Sequence, residues 1–246
     1  MSAPAEPRVG TDVEALRALA DRVVAQAAPG EQVEAYVSQG TNTSVDAYHG
    51  EVESLTQAGS AGIGIRVIKD GRTGFAYAGS HDEDIVAEAL AEARDNLPFA
   101  EPDEWAGLAV PDGVAPTALD VHREAVLATP VEDKVAMAIE LERMVRAADP
   151  RVRGVRAATY TDAEGAVAVA TSTGISVGGR STIAYVSVSA LADDGDASVI
   201  AGGMSVGRAI DEVSLDEAAD DAIARLLAKI GSVKPCLLYT SDAADE

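Results

Sequence analysis

Ser60-Ala-Gly-Ile-Gly-Ile-Arg-Val-Ile-Lys-Asp-Gly-Arg-Thr-Gly-Phe-Ala-Tyr77 is the stretch that decides the fold. Ile63, Ile65 and Val67 alternate with other residues, the period of a strand with one covered face. Asp70-Gly71 then supplies a tight turn, because glycine accepts the positive φ a two-residue hairpin needs. Phe75 and Tyr77 continue the alternation on the return strand. Upstream, Val33, Ala35 and Val37 alternate in the same way. The region around Val33 to Tyr77 therefore reads as an antiparallel meander.

Helices flank it. Thr11 and Glu14 read as a capping box, followed by Leu16, Leu19, Ala20, Val23 and Ala27 at helical spacing. Ser80 and Glu83 open a second helix with an apolar stripe of Val86, Ala89, Leu90 and Ala93. The order then recurs. Thr129, Pro130 and Glu132 open a helix striped by Val135, Ala138, Leu141, Val145 and Ala148. Strands follow at Val155 to Tyr160, Val167 to Ala170, Tyr185 to Leu191 and Val199 to Ala201, with Asp194-Gly195 as a hairpin turn. Ser214 and Glu217 open a last helix carrying Ala219, Ile223, Leu226 and Ile230, with Gly231 as its stop signal. The expected fold class is α+β, with two consecutive helix–antiparallel β-meander–helix units. A duplication and two independent units both explain that order. The expected boundaries are an α+β domain over 12–98, a proline-punctuated connector over 99–128 and a second α+β domain over 129–235.

Composition limits what the chain can bind. Acidic residues outnumber basic ones 41 to 19, for a net charge of −22. Such a surface repels phosphate backbones and anionic membrane faces, so neither nucleic acid nor membrane is an expected partner. Basic peptides or a basic subunit remain compatible. No stretch reaches the roughly 18 apolar residues of a membrane span. Residues 1–8 lack the apolar core of a secretory signal. With a single cysteine, Cys236, no internal disulfide can form. The expected location is cytoplasmic.

Residues 236–246, Cys-Leu-Leu-Tyr-Thr-Ser-Asp-Ala-Ala-Asp-Glu, match the translation of a transposase adapter used in sequencing libraries. They are expected to be an artefact, with the natural sequence interrupted near Pro235 and no native cysteine.

The motifs that could carry chemistry are sparse. His49, Glu51 and Glu53 could supply one nitrogen and two carboxylates to a metal, but also suit a hairpin with a solvated acidic face. His81 and His122 have no second histidine at helical spacing. Asp193-Asp194-Gly195-Asp196 lacks the length and terminal glutamate of a calcium loop and reads as a turn. Gly59, Gly62 and Gly64 do not make a dinucleotide fingerprint, since no parallel βαβ unit surrounds them. They read as points of close backbone approach, as do Gly202, Gly203 and Gly207. Thr171-Ser172-Thr173-Gly174 has no histidine in a triad arrangement and reads as a turn at a strand edge. No residue is assigned a catalytic, cofactor-binding or metal-binding role.

Several segments together resemble the TldD/PmbA family. They are Tyr36-Val-Ser-Gln-Gly-Thr-Asn-Thr-Ser44, Tyr48-His-Gly-Glu-Val-Glu-Ser54, Ser60 to Ile68, and Gly71-Arg-Thr-Gly-Phe-Ala76. Ala170-Thr-Ser-Thr-Gly-Ile175 and Ser187-Val-Ser-Ala-Leu-Ala192 resemble its middle domain. The resemblance spans about residues 12–235 and is closer to the PmbA, or TldE, branch. It implies a cytoplasmic two-subunit metallopeptidase acting in proteolysis and peptide maturation. In that family a TldD-type subunit carries zinc on a His-Glu-x-x-x-His motif, and a TldE-type subunit lacks it. No position here matches that motif. The resemblance thus implies a non-catalytic TldE-like subunit, inactive alone, whose partners are a TldD-type subunit and a peptide or unfolded substrate. Zinc would belong to the partner. The alternatives are a TldD-like enzyme whose motif lies beyond this sequence, and a peptide- or protein-binding module that is not an enzyme. If a peptide pairs with a strand edge, the strands around Gly59 to Ile68 are the expected place, unless they lie inside the sheet.

Overall fold

Asp70 and Gly71 form the expected turn, with φ of 51° and 72°. In the computed structural model, which describes residues 11–195 and 197–233, this turn joins β2 (Glu51–Lys69) to β3 (Arg72–Ala78). Before them runs β1 (Gln32–Tyr48) and, after a helical interval, β4 (Val152–Thr171), β5 (Ser176–Asp194) and β6 (Ala197–Gly207). The helices are α1 (Val13–Val24), α2 (Glu83–Asp95), α3 (Ala125–Ala128), α4 (Val131–Ala148) and α5 (Leu215–Lys229). The expected adapter-derived segment 236–246 lies outside the described residues.

The two meanders do not form separate sheets. They join edge to edge through an antiparallel β1–β4 ladder, giving one curled six-stranded sheet in the order β3-β2-β1-β4-β5-β6. At the centre of that ladder Gly40 lies opposite Gly165. A Cβ on Gly40 would come within 2.9 Å of the Glu164 carbonyl, so the close approach requires glycine.

Strands β1 and β4 are longer than their apolar runs suggest. Val155 to Tyr160 and Val167 to Ala170 are two ends of one continuous strand. The separate strands expected there arise because Asp162 and Glu164 interrupt the apolar alternation. Both carboxylates occupy the covered face and are buried.

All long helices pack on one face of the sheet, over two cores. The first gathers Leu16, Leu19 and Val23 of α1 and Val86, Leu90 and Ala93 of α2. They pack on Val33, Ala35 and Val37 of β1, Ile63, Ile65 and Val67 of β2, and Ala166, Ala168 and Ala170 of β4. The second gathers Leu141 and Val145 of α4 with Ala222 and Leu226 of α5. Beneath them are Val45 and Ala47 of β1, Ala158 and Tyr160 of β4, and Val186, Val188 and Ala190 of β5. Small residues let helix and sheet backbones approach closely. The Ala93 carbonyl lies where a Gly74 side chain would be, and the Ala218 carbonyl does the same at Gly203.

The caps differ in detail from expectation. Asp12, not Thr11, caps α1, accepting from the Glu14 and Ala15 N–H groups at 3.1 and 3.2 Å. Ser80, two positions before the α2 N-cap, accepts from the N–H of that cap residue, Asp82, and so tightens the approach to the helix without capping it. Pro130 occupies the N-cap of α4, where its missing N–H is harmless. Ser214 caps α5 as read, accepting from Glu217 N–H at 3.2 Å.

Candidate functional site

A belt of polar side chains separates the two cores. Thr41 and Thr43 of β1 stand opposite Glu164 and Asp162 of β4. Lys134, in the first turn of α4, ion-pairs with Asp162, which also accepts from the Tyr160 hydroxyl at 3.0 Å. His122, from the segment before α3, reaches Glu164 with Nε2 2.9 Å from Oε1. His122 thus has a buried acidic partner that its place in a proline-rich segment did not reveal. Thr43, Lys134, Tyr160, Asp162 and Glu164 are buried, so most of the belt belongs to the interior between the two cores.

The histidines are dispersed. His81 Nε2 lies 3.1 Å from the Ser38 carbonyl and 3.2 Å from that of Gly62, tying α2's approach to β1 and β2. His49 sits at the β1–β2 turn with φ of 55°. Glu51 pairs with Tyr48 across this hairpin, while Glu53 is an extra residue between Ser54, opposite Asp46, and Val52, opposite Ala47. Glu53 is thereby displaced from the alternation it would share with Glu51. Among the described residues no three His, Cys, Asp or Glu side chains converge to hold a metal. Asp193 pairs with Arg153 at 2.7 Å and Asp194 accepts from Gly231 N–H at 3.0 Å. These carboxylates are used within the fold, and Asp196 lies outside the described residues.

The turn at His49 is held by a clamp. Glu142 of α4 accepts from His49 N–H through Oε1 and from Gly50 N–H through Oε2, each at 2.8 Å, and from Arg146 Nε at 2.8 Å. Burial pushes the Glu142 carboxyl pKa up. The Gly50 N–H, Arg146 and His49 N–H together outweigh it and hold the pKa below its ordinary value.

The hairpin so anchored presents an open edge. Strand β2 pairs with β1 along its whole length, but β3 covers only Ile63 to Lys69. From Glu51 to Gly62 the outer edge of β2 has no strand beside it, and residues 51–61 are all exposed. The expectation for Gly59 to Ile68 thus divides. Gly59 to Gly62 lie on the free edge, whereas Ile63 to Ile68 are interior and three of their alternate side chains, Ile63, Ile65 and Val67, enter the first core. An unpaired edge of this length can accept an extended chain through backbone hydrogen bonds.

Comparison with known proteins gives this architecture a family. Residues 33–97 match the PmbA/TldA metallopeptidase domain 1 and residues 124–230 match the PmbA/TldA metallopeptidase central domain. The chain belongs to the PmbA/TldD metallopeptidase family. An uncharacterized protein of Methanocaldococcus jannaschii is 38% identical over 78 residues, which cover 31% of this chain and 19% of that protein. A solved structure described as a putative modulator of DNA gyrase from Bacteroides thetaiotaomicron superposes with a TM-score of 0.73 at 20% identity, covering 90% of this chain and 51% of that one. A second of the same description, from Thermotoga maritima, gives 0.71 at 20% identity, covering 89% and 49%. TldE from Thermococcus kodakarensis gives 0.67 at 18% identity, covering 88% and 46%. The chain therefore spans about half the length of these solved structures and a smaller share of the curated relative.

Proposed function

We propose that this PmbA/TldD family chain is the non-catalytic, TldE-like subunit of a cytoplasmic two-subunit metallopeptidase that trims peptides and unfolded chains. The observation that carries the reading is the double family match, over residues 33–97 and 124–230, joined to a fold like that of a TldE. The free edge of β2 from Glu51 to Gly62 supports it. Backbone pairing there would recognise an extended peptide or a partner strand without demanding a sequence, as a peptidase of broad substrate range requires. The zinc and the groups that activate water would come from a TldD-type partner. The net charge of −22 favours basic segments of a substrate and disfavours nucleic acid.

The test is peptide hydrolysis by the purified chain alone, by a separately purified TldD-type subunit alone, and by the two mixed. Chelator-sensitive cleavage by the mixture, greater than by the TldD-type subunit alone, is expected. Chelator-sensitive cleavage by this chain alone would overturn the non-catalytic assignment.

A further inference from the structure

The sheet's ladders lose register at three places among the described residues, and all three meet in one pocket. In β2 the extra residue is Glu53, between Ser54, opposite Asp46, and Val52, opposite Ala47. In β4 the extra residues are Arg153, between Val152 and Gly154, and Arg156, between Val155 and Ala157. Each β-bulge turns one side chain out of the strict alternation of its strand. Glu53, Arg153 and Arg156 line the same cavity of about 630 Å³, at the end of the sheet where the β1–β2 turn meets the start of β4. Arg146 and His49 line it too, and Tyr48, Val155, Leu191 and Ile200 give it apolar walls.

Three guanidinium groups in one cavity stand out in a chain where acidic residues outnumber basic ones 41 to 19. Two are held in place: Arg146 by Glu142 at 2.8 Å, and Arg153 by Asp193 at 2.7 Å. Arg156 makes no hydrogen bond or ion pair within the described residues. Each guanidinium has five N–H donors, so even the paired ones keep donors to spare. A guanidinium fork matches a carboxylate with two parallel hydrogen bonds. Glu53 faces the same space, and its charge opposes a multiply charged anion such as phosphate. The apolar walls call for a hydrocarbon body behind the anionic head.

We propose that this pocket binds an organic monocarboxylate with an apolar body, gripped by Arg156 with Arg153 beside it. The chemistry is shared by a free aliphatic acid and by a peptide C-terminus ending in an apolar residue. The inference does not rest on the peptidase reading: it is argued from the arginines Arg153 and Arg156 of β4, and Glu53 is the one pocket residue that also belongs to the free stretch of β2.

Titration calorimetry of the purified chain at low ionic strength tests it. The probes are hexanoate, hexanol, N-acetyl-leucine, N-acetyl-leucine amide and inorganic phosphate. At least one of the two carboxylates is expected to bind about tenfold or more tightly than its neutral counterpart and than phosphate, the size of a charged hydrogen bond. Arg156→Gln and Arg153→Gln should each weaken that binding by a similar factor, while Arg225→Gln, on α5 and paired with Asp221, should leave it unchanged. Tighter binding of N-acetyl-leucine than of hexanoate assigns the site to a peptide C-terminus, and equal or weaker binding to a free acid. The proposal is overturned if neither carboxylate exceeds its neutral counterpart, or if both pocket variants, shown folded by thermal melting, bind as the parent does.

Discussion

Lys134 and Asp162 form an ion pair in which neither side chain is more than 2% exposed, between the first turn of α4 and the covered face of β4. Removing the cation while keeping the carboxylate is far worse than never having had the pair. Lys134→Met is expected to destabilise the fold by about 3–5 kcal/mol. Lys134→Met with Asp162→Asn should recover a substantial part of that loss. Urea midpoints of the two variants and the parent decide it, and a double variant no more stable than the single would refute the charge argument.

Glu142 makes stability depend on pH in a defined direction. Its folded pKa is depressed, so its contribution is full above the unfolded carboxylate value of about 4.3 and is lost as pH falls through the folded value. Glu142→Gln should cost about 1.5–3 kcal/mol at neutral pH, since hydrogen bonds to a charged acceptor are replaced by weaker ones. It should also flatten the fall in stability below about pH 4.3. Chemical denaturation of parent and variant at a series of acidic pH values gives both quantities.

Gly203 and Gly165 should differ sharply in their response to the same change. A Cβ on Gly203 would run into the Ala218 carbonyl and the Ala222 backbone of α5, whereas one on Gly165 meets nothing within 4 Å. Gly203→Ala should cost about 1–3 kcal/mol as α5 is pushed off the sheet, and Gly165→Ala should stay within about 0.5 kcal/mol of the parent. Thermal melts of the two variants compare them directly.

Backbone amides should report the free edge. Strand β2 is flanked on both sides only from Ile63 to Ile68. Alternate amides of Glu51 to Gly62 are therefore expected to exchange with solvent much faster than any in Ile63 to Ile68. Adding a TldD-type subunit or an extended peptide that uses this edge should slow the exposed set selectively. Uniform protection across β2 would contradict the edge.

How far the sequence disclosed this arrangement depends on the residue. Alternation at Ile63, Ile65 and Val67 and the Asp70-Gly71 turn were sufficient for the first meander, because one covered face and one tight turn are local properties. The β1–β4 ladder was not legible, since pairing such as Tyr36 with Val169 leaves no local mark. The belt was half legible. Lys134 of the belt and Glu142 of the turn clamp fall on the buried stripe of α4 with Ala138, Leu141 and Val145, so helical spacing alone places two charges in the interior. Apart from Arg146, at i+4 from Glu142, their partners come from distant segments, and no spacing rule finds those. Arg153 and Arg156 were invisible as a pair, because each is aimed by a bulge and a bulge appears only once two strands are in register.

The β1–β4 ladder also sets a schedule for synthesis. The first core includes Ala166, Ala168 and Ala170 of β4, so α1, β1, β2, β3 and α2 leave the ribosome before the strand that completes their packing exists. At about 5–20 residues per second, translation takes roughly 6–25 s to pass from the end of β1 to the end of β4. Throughout that interval the inner edge of β1 lies bare on the nascent chain. An edge waiting that long is the natural place for a chaperone to hold the chain, or for two polysomal neighbours to pair by mistake.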